Sequence, residues 1–524
     1  LGALPVPLAD GRLVRGPRSL LVPVGEAFEA GSLDTTALAP LGLRIVHPQA
    51  ADPLLVRLGA VEANASAVLT DALTRAAVEN SLEADDPDAI ATPVLELVAA
   101  SRTTLADAPW LADLALHDDE GGYSVAGELL LPDSPLLDIF TDDAPFGVVA
   151  ADLVDRYGAQ TLEAVGVLHS FALVRDNEVT LGPALAYGRE DLQLDGVEEW
   201  AEEVAERLGT PELPPVVSEF VGVADLEFVR DDRWPQALDL LSGPRLRAAV
   251  TEPARVLGGD GRVVDVPAYT AWWLRTGATL NGRRPTELRT PDADPALAGL
   301  YDAVPDGLDA GLARALGVRT TLEELVADPD GPEDLLDRMA DPQRHIERDA
   351  LRHIWTALAR VDADRVPLPD RVRAVRGGAI VVADAGETLV VDAPDLLPLV
   401  AERPAVLVPV EYAIAVADVL DLALASEEVA GRVASVGEIR PVPDEVGAFL
   451  DTGVLTYLHH EELIVDGAAV EWRCDGGALH AATTDGLARA LCWAAGRWPY
   501  RHLVAAVLRD PQDLPALLAE ADLD

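Results

Sequence analysis

Two stretches of the 524-residue chain gather residue types that could do chemistry. The first is Trp272-Trp273-Leu274-Arg275, followed by Asn281-Gly282-Arg283-Arg284 and Arg289. Four arginines stand here beside a single acid, Glu287, in a chain where 90 acidic residues face 40 basic ones. A guanidinium next to an indole stacks on its face and offers a fork of donors that fits carboxylate or phosphate. Trp272, Trp273, Arg275, Arg283, Arg284 and Arg289 therefore form a candidate docking surface for an acidic domain, a peptide or a nucleotide. The competing reading is internal: the arginines pair with the chain's own acids and the indoles fill a core. The second stretch is His459-His460-Glu461-Glu462, with His480 in reach across the strands that follow. Adjacent residues of a strand point to opposite faces, so both histidines cannot easily address one ion. A polar loop without a metal is the expectation.

The acid pairs Asp118-Asp119, Asp142-Asp143 and Asp231-Asp232 have the composition of acid/base dyads or cation ligands. In so acidic a chain such pairs arise by composition, and each reads as a solvated turn. Arg497 and Arg501, around Trp498, have a structural reason near a helix C-terminus. The sequence contains no lysine, which rules out a Walker-type phosphate loop within this chain. No G-x-G-x-x-G follows a strand, and G-x-S-x-G and H-E-x-x-H are absent. Glu79 and Asn80 are adjacent, whereas a nucleotide-binding helix of the GHKL type needs them one turn apart. Cys474 and Cys492 are the only cysteines, too few for a disulfide framework, and a reducing cytoplasmic setting is expected.

The formal charge of −50 repels phosphate backbones and anionic lipid heads, so neither nucleic acid nor membrane is expected as partner. No apolar run is long enough to span a bilayer, and no basic-then-apolar signal is visible in the residues from Leu1. The start at Leu1 suggests a fragment or processed product.

The elements that must position these residues are short. Asp10-Gly11 reads as the bend of a hairpin, and Gly378–Val391 reads as another, turning at Ala385-Gly386. Residues 462–482 carry Asp466-Gly467 and Asp475-Gly476-Gly477 between apolar runs, which predicts a three-stranded antiparallel meander. A helix capped by Thr484 or Asp485 follows, and Thr320 or Thr321 caps another. Three apolar helices end in a Gly between apolar residues: Leu58-Gly59-Ala60, Val165-Gly166-Val167 and Leu316-Gly317-Val318. Their spacing, over one hundred residues, implies divergent modules rather than a solenoid. The expectation is a mixed α+β chain built of several modules, with helix bundles packed on small antiparallel sheets and hairpins. The proposed segments are 1–105 (hairpin plus helices), 106–250 (mixed), 251–365 (mainly helical) and 366–524 (hairpin, helices, meander and C-terminal helices).

The unit Gly127-Glu128-Leu129-Leu130-Leu131-Pro132-Asp133-Ser134-Pro135-Leu136 with Val165-Gly166-Val167, and Leu316-Gly317-Val318, resembles the repeats of sacsin-like proteins. Residues 374–398 and 483–508 extend the likeness, and the chain looks like the region that follows the ATPase domain in bacterial members of that family. The resemblance implies a non-catalytic, chaperone-type scaffold whose partners are protein clients or its own ATPase domain. ATP and magnesium would belong to a preceding domain of the heat-shock-ninety type, and no residue of this chain matches the family's nucleotide motifs. Two alternatives stand beside it: an enzyme of unfamiliar class with its site near Arg275–Arg289, or a degenerate ATP-binding fold in the first 250 residues.

Overall fold

The structure, a computed structural model, describes residues 4–29, 33–101, 103–105, 107–182, 192, 194–209 and 214–521. The chain is a mixed α+β protein of many short strands and helices. It divides into two compact units: residues 1–285 with 305–317, and residues 286–304 with 318–524. The exchange between them falls inside the expected 251–365 segment.

One supersecondary arrangement recurs four times. A strand of two or three residues is flanked on both sides by parallel partners, the second from the chain just after it and the third from beyond a helix. The central strands are Leu21–Pro23, Leu129–Leu130, Leu288–Arg289 and Leu389–Val390. Their second partners are Ile45, Gly147–Val148, Asp302–Ala303 and Ala405–Val406. Their third partners are Val61–Ala63, Leu168, Arg319 and Ala423–Leu424. Parallel strands need a crossover between them, and the helices before each return supply one: Pro53–Arg57, Ala159–Ala164, Ala310–Ala315 and Ala413–Leu420.

The Gly of the recurring triplets is the hinge of this return. Gly59, Gly166 and Gly317 have φ of 107°, 113° and 76°, a region costly for residues with a Cβ. At Gly166 space is tight as well, because a Cβ would lie 3.0 Å from Ala112 Cα. In the fourth copy Asp421 takes the left-handed turn at φ 51°, a conformation that Asp tolerates better than most residues. The turn then delivers the third strand, and Asn64 and Thr321 cap the helices that follow the first and third copies.

The first unit adds a four-stranded antiparallel sheet in the order Val263–Val266, Ala254–Leu257, Val216–Val223, Leu173–Thr180. One of its cores wraps the helix Asp88–Ser101, which buries Val94, Leu95 and Leu97 completely. The second unit adds a C-terminal sheet in the order Glu438–Pro441, Thr456–His459, Ala478–Ala481, Trp472–Asp475. The helices Thr484–Ala494 and Arg501–Arg509 share a core with it through Trp472, Leu491 and Val504.

Three local expectations change. The hairpin of residues 371–384 turns at Gly377-Gly378, where both residues have positive φ as a type I′ turn requires, and not at Ala385-Gly386. Ala385–Glu387 is instead a single 3-10 turn leading into the central strand. The meander of 462–482 is two separate hairpins: Leu463–Val465 with Ala468–Val470, and Trp472–Asp475 with Ala478–Ala481. Thr456–His459 pairs parallel to Ala478–Ala481 on the side away from Trp472–Asp475. The cap of the last long helix core is Thr483, whose hydroxyl accepts from Gly486 N.

Candidate functional site

The Trp–Arg stretch begins on the helix Tyr269–Gly277 of the first unit. Trp272 Nε1 donates to Glu203 Oε2 at 2.6 Å, and Trp273 Nε1 donates to Asp195 Oδ2 at 3.0 Å. The Trp273 ring also lies 5.9 Å from Trp234, whose side chain is fully buried. Arg275 Nε donates to the Ala315 carbonyl at 3.2 Å. These three side chains therefore work within their own unit. Asn281 and Gly282 form a tight turn, closed by paired hydrogen bonds between Leu280 and Arg283, and it carries Arg283 and Arg284 as exposed residues. Arg289 belongs to the second unit, where its Nη1 donates to the Thr290 carbonyl at 3.3 Å. Burial beside Glu227 raises Asp225, on the same unit as the tryptophans, to about 6.

The acid pair Asp118-Asp119 lines a cleft of about 460 Å³ with His117, Gly121 and Asp152. His117 Nε2 lies 3.1 Å from Asp88 Oδ2, which also accepts from the Tyr123 hydroxyl at 3.0 Å. Asp118 Oδ1 accepts from Glu120 N and Gly122 N, so this carboxylate closes the turn of its own hairpin.

The second unit brings together His460 and His480, and it separates them from His459. Leu458 and His480 are neighbours in the parallel strand pair, which places the two rings on a common side. His460 Nε2 lies 2.9 Å from His480 Nδ1, and His460 Nδ1 lies 2.9 Å from Ser435 Oγ. Ser435 Oγ accepts in turn from Ile464 N at 3.0 Å. Both histidines are buried, and burial lowers the proton affinity of each ring. A shared zinc ion with bonds of 2.0–2.1 Å at tetrahedral angles would hold two ring nitrogens about 3.3 Å apart. The 2.9 Å spacing is that of a hydrogen bond, and among the described residues no group of three or more His, Cys, Asp or Glu is arranged to hold a metal.

Next to His480 on the neighbouring strand, Arg473 donates to Asp395 Oδ2 and to the Gly431 carbonyl. Asp395 is 1% exposed and also accepts from Cys474 N at 2.9 Å. Burial, then the Asp395 charge, pushes the Cys474 thiol up to about 12, and burial pushes Cys492 to about 11. Neither carries the thiolate that cysteine chemistry needs.

Sequence reasoning reached the two histidines and missed Ser435 and Asp395. Ser435 stands two residues before Gly437, whose missing side chain makes room for the His460 ring, but a Ser-x-Gly triplet carries no such message on its own. No family model, curated protein or solved structure matches this chain. No helix among the described residues is long and apolar enough to cross a membrane.

Proposed function

We propose that this chain is a non-catalytic, cytoplasmic interaction scaffold of the sacsin-like type, which holds protein partners or docks on an ATPase domain. The observation that carries this reading is the fourfold recurrence of one parallel-strand module around Leu21, Leu129, Leu288 and Leu389. Those central strands use apolar residues for packing, and only Arg289 among them brings a charged group. Repetition of a packing unit serves a surface; a catalytic centre needs a single convergence of unlike groups. The exposed Arg283 and Arg284 are the docking residues of this reading, suited to acidic segments of a partner.

Two measurements test it. The chain is expected to suppress aggregation of a thermally unfolding acidic test protein at stoichiometric ratio, and the Arg283→Glu/Arg284→Glu variant to do so less well. Equal turbidity with and without the chain would sink the scaffold reading. Calorimetric titration with magnesium ATP is expected to give no heat at micromolar ligand, and clear binding would overturn the assignment of nucleotide to a separate domain.

A further inference from the structure

The segment 431–437 runs beside the strand Leu463–Val465, joined by the Val433–Val465 bridge and by Ala434 N donating to the Ile464 carbonyl. Its first half is clamped by charge: Asp466 accepts from Gly431 N and Arg432 N, and Arg473 donates to the Gly431 carbonyl. Its second half is held differently. Ser435 hangs on His460, His460 hangs on His480, and Gly437 lies so close that a Cβ there would fall 2.6 Å from His460 Nε2. Ser435 also accepts from Ile464 N at 3.0 Å, and the His460 ring that fixes its hydroxyl is itself held in place by the 2.9 Å contact with His480.

We propose that the Ser435–His460–His480 chain is a proton-operated latch, which fastens the segment 431–437 at neutral pH and releases it on acidification.

A hydrogen bond between two imidazoles needs one bare ring nitrogen facing one N–H. With both rings neutral, one tautomer lets His460 Nε2–H donate to His480 Nδ1 while Ser435 donates to His460 Nδ1, so both contacts are made. The first added proton places a net charge in a buried site. The second sets two N–H groups face to face across 2.9 Å and removes the acceptor.

The surroundings do not welcome that charge. Arg473 faces His480 from the adjacent strand and His459 flanks His460, and both oppose protonation; Asp475 alone favours it, on His480. The nearest buried carboxylate, Asp395, is already engaged by Arg473 and Cys474 N. Glu438, the strand partner of His459, pairs with Arg440.

The sign follows directly. Rings whose proton affinity is lowered by the fold support it fully above the unfolded histidine value, near 6.5, and that support is lost as the pH falls from there toward the folded value. The latch is therefore shut at neutral pH and opens in the mildly acidic range where few other side chains change charge.

Hydrogen–deuterium exchange on the full chain tests this, with rates corrected for the intrinsic pH dependence of exchange. Protection of residues 431–437 and of the Ile464 amide is expected to fall about tenfold or more between about pH 7.5 and about pH 5. The strand Arg371–Arg376 is the internal control and is expected to keep its protection. His480→Asn keeps an acceptor opposite His460 Nε2–H without a titrating ring, so a protonated His460 retains both its bonds; this variant is expected to hold protection across the range. Unchanged protection in the wild-type chain, or the same loss in His480→Asn, overturns the latch. Ring titration by NMR in the wild-type chain gives a check that does not depend on a variant folding. Both rings are expected to titrate below the ordinary histidine value, and an ordinary value for either overturns it.

Discussion

Asp395 and Arg473 form a buried ion pair that ties the loop after the fourth central strand to the C-terminal sheet. The Asp395 side chain is 1% exposed and that of Arg473 is 12% exposed. Arg473 shares its guanidinium between this carboxylate and the Gly431 carbonyl, and Asp395 also holds Cys474 N. Removing one partner of such a pair strands the other charge in a medium that cannot solvate it. Asp395→Ala is expected to lower unfolding free energy by about 3–5 kcal/mol in denaturant titrations. Replacing both residues with leucine is expected to return more than half of that loss, since no charge is then stranded. If the double variant is as unstable as the single one, packing and not charge governs this contact.

The return turn of the module yields a paired prediction. Gly166→Ala meets both a left-handed backbone and the Ala112 Cα at 3.0 Å, and is expected to cost about 1–3 kcal/mol. Asp421 performs the same turn at φ 51° with a Cβ in place. Asp421→Gly is expected to stabilise the chain by up to about 1 kcal/mol, because it relieves that strain. Thermal unfolding of both variants decides the matter: opposite signs support one shared turn requirement, and equal signs refute it.

How much of this was legible in the sequence depends on the range of the signal. The Gly triplets, the Asp10-Gly11 bend and the Thr321 cap are local, and their chemistry marks them without help from the fold. A short apolar strand is readable at residues 127–131, but its parallel pairing was not legible, because Leu129-Leu130 or Leu389-Val390 is too short to show a period. What makes them strands is the partner delivered from beyond the helix, such as Leu168 or Ala423. The misplaced turn at Ala385-Gly386 shows the same limit. Sequence reasoning places the bend at Ala385-Gly386, and only the strand pairing shows that the chain turns at Gly377-Gly378. At the histidines the alternation rule was sufficient to separate His459 from His460. The contact with His480 was only a possibility until the parallel pairing of Leu458 set the register. In the Trp–Arg stretch composition showed the arginines, but it could not show that both indoles would find carboxylates, Glu203 and Asp195, more than sixty residues earlier.

Gly437 offers a test of close packing at the histidine pair. A methyl group there would lie 2.6 Å from His460 Nε2 and 3.0 Å from Leu458 Cβ. Gly437→Ala is expected to destabilise the chain by about 1–3 kcal/mol through overpacking. It should also raise amide exchange in 431–437 at neutral pH. A variant as stable as the parent would show that the segment shifts aside at no cost.

Asp225 gives the opposite pH dependence to the histidines. It follows the strand Val216–Val223, adopts φ 66°, and precedes the turn Leu226–Phe228. Burial first, and then the Glu227 charge, raise its proton affinity from 3.8 to about 6. A carboxyl that holds its proton more tightly when folded favours the fold fully below its unfolded value. That advantage disappears as the pH rises through the folded value. Asp225 is therefore expected to be neutral in the fold near pH 5 and to weaken it above about pH 6. Asp225→Asn removes the titration and keeps a residue that accepts a left-handed backbone. The variant should match the parent near pH 4 and exceed it at pH 7 by about 1–2 kcal/mol, a value reduced for solvent screening of a partly buried group. Unfolding temperatures of both proteins across this range decide it, because taking their difference cancels the general repulsion among the other acids. A difference that does not grow with pH would show that Asp225 ionises in the fold as it does in water.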